Sequence, residues 1–138
     1  MNIKLRLMAR LYCGVIACAL VLALCGCSRS FFVRAVGDAD DLVFFFYSDR
    51  EMAKPDQHKI TQLAVKKYGA DGEIVWRIEE RFVADSLKYG ATSSEFRTVV
   101  EPKPLNADAQ YQVIVTDASA LSPAGGAAQV FTVGQHPQ

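Results

Sequence analysis

The chain has 138 residues, with 15 Lys and Arg against 15 Asp and Glu and a formal net charge of zero. That length admits one domain and not two, and the balance lacks the clustered basic excess of a nucleic-acid-binding surface. All four cysteines, Cys13, Cys18, Cys25 and Cys27, lie at or before position 27, so the remainder has no disulfide framework and no Cys-based metal site.

Lys4, Arg6 and Arg10 open the chain, and an uncharged apolar run from Leu11 to Gly26 follows. A charged start before a short apolar segment is the form of an export signal. The run is shorter than the about 20 residues that cross a hydrocarbon core, which argues against an uncleaved anchor. Ala17-Cys18-Ala19 matches the ordinary signal-peptidase site, but it falls in the middle of the apolar run. Leu24-Cys25-Gly26-Cys27 resembles the lipobox of bacterial lipoproteins, with an aliphatic residue three places before the cysteine and a small one just before it. The resemblance implies that residues 1–26 are a signal peptide, that Cys27 carries diacylglycerol and further fatty acyl, and that the lipid bilayer is a partner through acylated Cys27. Ser28 stands where inner-membrane retention tends to use Asp, so the same resemblance implies the outer membrane, facing the periplasm. After Cys27 twelve basic residues oppose fifteen acids, a formal charge of −3.

Residues 27–41 are expected as a lipidated N-terminus and linker, with Phe31 to Val33 able to form a short strand and Gly37 to Asp41 a turn. Leu42 to Ser48, Leu-Val-Phe-Phe-Phe-Tyr-Ser, predicts a strand buried on both faces. Asp49 to Lys59 predicts a polar loop around Pro55 and Asp56, with His58 as a solvated side chain. Ile60 to Tyr68 predicts a strand, and Gly69-Ala70-Asp71-Gly72 a hairpin turn whose Asp-Gly pair takes positive φ. From Glu73 to Arg81, Ile74, Trp76 and Ile78 alternate with Val75, Arg77 and Glu79, as in a half-buried strand. The dense charges Arg77, Glu79, Glu80 and Arg81 predict a solvated face rather than an acid–base pair. Short strands are expected over Ser86 to Tyr89 and Phe96 to Val100, and Pro102 and Pro104 force an extended crossing.

Leu105 stands six residues before Tyr111, which opens the alternating Tyr111-Gln112-Val113-Ile114-Val115. This spacing resembles the tyrosine corner of fibronectin type III and other immunoglobulin-like domains, with Ala107 and Ala109 where Pro and Thr are common. Asp117 to Gln129 is expected as a flexible loop and Gln129 to Val133 as the closing strand. The whole predicts an all-β fold, an immunoglobulin/fibronectin type III-like β-sandwich of about seven strands over residues 42–134, after an N-terminal signal helix and before a tail at 135–138. The order Trp76-Arg77-Ile78, Tyr89-Gly90, Phe96, Leu105 and the Tyr111 strand is also similar to that of small bacterial lipoproteins of unassigned function, over residues 73 to 133.

Two histidines, His58 and His136, cannot assemble a zinc site of three or four His and Cys ligands. Asp38, Asp40 and Asp41 are three clustered oxygen donors, expected as a solvated acidic turn. The chain lacks a nucleophile elbow, a phosphate-cradling glycine loop and a dinucleotide fingerprint. No catalytic residue, metal or cofactor is therefore expected. The sequence points to a non-catalytic binding or assembly module in the cell envelope with a protein partner. The alternative is an exported enzyme or small-ligand carrier using a pocket between the sheets.

Overall fold

The computed structural model describes residues 31–117 and 126–134. Residues 1–26, Cys27 and His136 lie outside them. Among the described residues there is no helix, and eight strands follow one another: β1 Phe32–Val36, β2 Val43–Tyr47, β3 His58–Lys67, β4 Ile74–Ala84, β5 Ser86–Lys88, β6 Arg97–Val100, β7 Gln110–Asp117 and β8 Gly126–Thr132. They form two antiparallel sheets, β1-β2-β5 and β6-β4-β3-β7-β8. The chain changes sheet after β2, after β4 and again after β5. The protein is a two-sheet β-sandwich.

Period-two alternation builds the core. Val113 and Val115 are fully buried on β7 while Ile114 between them stays exposed. The same rhythm buries Phe44 and Phe46 on β2, and Leu63 and Val65 on β3. Phe44 of the small sheet meets Phe131 of β8 edge-on at 5.8 Å, and Phe131 stacks on Tyr111 at 6.0 Å. Trp76 is fully buried with the Tyr89 ring against it at 5.1 Å. These aromatic pairs add to the area they remove from water.

Four expectations are corrected. The sandwich begins before residue 42: β1 pairs with β2 in register Phe32↔Tyr47 to Val36↔Val43, and Phe31, Val33 and Ala35 enter the core. Most of the stretch 27–41 is thus sandwich rather than linker, because Phe-Phe-Val-Arg-Ala-Val alternates well enough to bury one face. β2 is not equally buried on both faces, since Val43 and Phe45 are only half-buried. In the β3–β4 turn positive φ falls on Gly69, not on the Asp71-Gly72 pair. The closing strand begins at Gly126, so Gly126 to Gln129 pair with Thr116 to Val113 instead of looping.

β4 also runs beyond Arg81, to Ala84. Three steps along it, from Glu79 to Phe82, face two along β3, from Gln62 to Ile60, and Glu80 takes φ 88. This irregularity is a β-bulge that turns Glu80 out to solvent, and beyond it Phe82 is buried and Val83 exposed.

Candidate functional site

The ends of several strands meet at one edge of the sandwich. Phe31 precedes β1, Ser48 follows β2, His58 opens β3 and Asp117 closes β7. The pairings Phe32↔Tyr47 and Ile60↔Asp117 put these termini at the same end. The Asp56 N–H donates to the Phe46 carbonyl at 2.8 Å and folds the β2–β3 connection back onto β2.

Side chains of three chemical types line up there. Ser48 Oγ lies 3.4 Å from His58 Nε2, and His58 Nδ1 lies 3.4 Å from Asp117 Oδ2. The Phe31 ring stacks on the imidazole with centroids 4.9 Å apart and planes 27° apart. Ser48 is exposed, the His58 side chain is 11 % exposed, and Asp117 at 7 % is the one buried polar or charged residue among those described. A carboxylate removed from water is costly unless something compensates it, and the imidazole Nδ1 that faces Asp117 can contribute an N–H in one of its tautomers. Both distances lie beyond the usual hydrogen-bond range. Read by atoms, the order is hydroxyl to Nε2 and Nδ1 to carboxylate, the connectivity of a serine nucleophile with its base and orienting acid.

His58 is therefore neither solvated nor in a loop: it is the first residue of β3, held between an aromatic ring and a buried acid. One sequence signal pointed this way. Tyr111, Val113, Val115 and Asp117 share the inward face of β7, and an inward acid at the end of an alternating strand requires a partner. The hydroxyl has a competing influence, since the Ser48 N–H donates to Asp56 Oδ2 at 3.4 Å. A carboxylate against that N–H opposes negative charge developing beside Ser48.

The other singled-out residues stand apart. Asp38 Oδ1 accepts the N–H groups of Asp40 and Asp41 at 3.1 Å, an Asx-type turn, and Asp41 pairs with Lys88 at 2.8 Å. Lys88 holds the Asp41 carboxyl below its ordinary range, and Asp41 raises Lys88. Among the described residues no group of three His, Cys, Asp or Glu is placed to hold a metal ion. Glu79 pairs with Arg77 and, at 3.4 Å, with Arg97, which approaches Glu80 at 3.9 Å. That ladder ties β4 to β6 on a largely solvated face. Glu73 sits between Lys67 and Lys103, and Lys103 is the main cause of its lowered carboxyl. At the opposite end of the sandwich, Asn106 N–H donates to the Tyr111 hydroxyl at 2.9 Å, and both Tyr111 and Leu105 are buried. Tyr89 donates to the Lys103 carbonyl at 2.7 Å, and burial pushes its hydroxyl up to about 12 although that bond opposes the shift.

Comparison with protein-family models, with curated proteins and with solved structures finds no match, so the functional reading rests on the chain's own residues. No helix among the described residues is long and apolar enough to cross a membrane.

Proposed function

We propose that the chain is a bacterial lipoprotein, anchored at Cys27 in the outer membrane and facing the periplasm, whose β-sandwich is a binding or assembly module for another envelope protein. The observation that carries the module over a ligand carrier is the filling of the sandwich. Trp76, Tyr111, Phe44, Phe46, Leu42, Ile60, Leu63 and Ile78 are all essentially fully buried. Side chains of that size on the facing sheets occupy the space a carried ligand would need, and recognition is left to the surface.

The short distance from Cys27 to the sandwich sets its orientation. Phe31 is buried four residues after Cys27, and four residues reach at most about 14 Å when fully extended. An acylated Cys27 thus holds the end bearing Phe31, Ser48, His58 and Asp117 close to the bilayer. β7 ends at Asp117 and β8 begins at Gly126 at this same end, so a partner that engages it sits at the membrane surface. Cross-linking in intact cells followed by mass spectrometry tests the reading. A specific membrane-associated protein partner is expected, and a profile identical to that of an unrelated lipoprotein refutes the module. The exported-enzyme alternative is favoured by one observation, the Ser48, His58 and Asp117 alignment.

A further inference from the structure

We propose that Ser48 is an acyl-accepting nucleophile, with His58 as its general base and Asp117 as the positioning residue that orients the imidazole. Three observations carry this. The atoms follow the nucleophile, base and acid order, with Ser48 Oγ on Nε2 and Asp117 Oδ2 on Nδ1. The burial gradient suits the roles: the acid is buried, the ring nearly so, and the hydroxyl open to an incoming acyl donor. The Phe31 ring lies along the imidazole face and restricts its rotation without competing for either nitrogen.

The substrate class is a carboxylic ester. Ser48 Oγ attacks the carbonyl carbon while His58 Nε2 takes the hydroxyl proton. The ester C–O bond then breaks, and His58 returns that proton to the departing alcohol. Water repeats the sequence on the acyl-serine, releasing the carboxylic acid and restoring the hydroxyl, with no external oxidant or reductant. Because the Ser48 N–H is turned to Asp56, this amide does not serve the oxyanion. Loss of one such donor costs about 100-fold to 1,000-fold in rate, so acylation is expected to be observable and turnover slow.

The ester has two possible sources, a soluble molecule or a lipid in the bilayer to which Cys27 anchors the domain. Only this choice rests on the proposed anchoring; the nucleophile does not. The test uses the purified full chain in detergent. A fluorophosphonate probe should label Ser48 once per chain, as read by peptide mass spectrometry. Ser48→Ala, at an exposed position, should abolish labelling without changing the melting temperature. His58→Gln should lower the labelling rate about 100-fold or more. In the wild type the rate should rise with pH in a single-proton step, absent from His58→Gln and altered in Asp117→Asn. p-Nitrophenyl acetate in solution and a fluorogenic acyl ester in phosphatidylcholine vesicles then separate the sources, acyl-Ser48 from either supporting the inference. Folded wild type that acquires no label at Ser48, or labels equally fast in a folded His58→Gln variant, overturns it. Neither result bears on the partner cross-linking, and mass analysis of the N-terminal peptide reports on the anchor separately.

Discussion

Tyr111→Phe removes a single oxygen atom and tests how the crossing into β7 is held. The hydroxyl accepts the Asn106 N–H at 2.9 Å, while the ring stays against Phe131 and is 1 % exposed. Phenylalanine keeps the ring contacts, so the loss is confined to the hydrogen bond and to the N–H left without it. A buried donor left unpaired costs about 1 to 3 kcal/mol. Asn106 itself is exposed, so water can replace part of the bond, and about 1 kcal/mol is expected. For a domain of this size that corresponds to a fall of about 4 to 8 °C in Tm. The assay is thermal unfolding followed by far-ultraviolet circular dichroism, with the β spectrum at low temperature unchanged. Tyr68→Phe is the control, because Tyr68 is 56 % exposed and its replacement should shift Tm little. A Tyr111→Phe protein melting with the wild type would remove the bond from the account of the fold.

Gly126→Ala should destabilise the β7–β8 pairing, because a Cβ there lies 2.3 Å from the Val115 carbonyl oxygen, a backbone atom that cannot swing aside; a loss of about 1 to 3 kcal/mol in urea unfolding is expected. Tyr89 keeps its proton in the folded state up to about 12 against an ordinary 10.0, so its contribution is full below about pH 10 and is lost as pH rises towards about 12. Discounted for the solvent-facing part of the ring, that contribution is about 1 kcal/mol, and urea unfolding as a function of pH should show a shallower alkaline decline in Tyr89→Phe. Arg97→Ala removes two exposed ion pairs on the β4–β6 ladder and should change stability by no more than about 0.5 kcal/mol, as read by the same unfolding curves.

Local pattern made much of the sandwich legible. Val113 and Val115 declare an inward face through alternation alone, and Pro102 and Pro104 mark a crossing because neither can donate to a ladder. β1 carries the same alternation, but Phe31 and Phe32 follow soon after the apolar run that ends at Gly26, and only the pairing with β2 shows that they belong to the core. Glu80 was not legible: positive φ at a non-glycine is imposed by the β3 register, not by its own chemistry. The Ser48, His58 and Asp117 alignment was half legible. Asp117 occupies an inward position of β7, whereas His58 lies in a polar stretch and is buried through Phe31 and Asp117, neither of them close in sequence. Ser48 follows an apolar strand, and its nearness to His58 depends on the β2–β3 connection folding back through Asp56.

Whether this domain works tethered through Cys27 is decided by the mass of the N-terminal peptide from wild-type membranes. A diacylglyceryl modification supplies two acyl chains, enough for stable attachment where one chain is marginal. The expected mature chain begins at Cys27 and carries that modification, and Cys27→Ser leaves an unmodified precursor. A mature chain that begins at another residue, or one that begins at Cys27 with a free thiol, would contradict it.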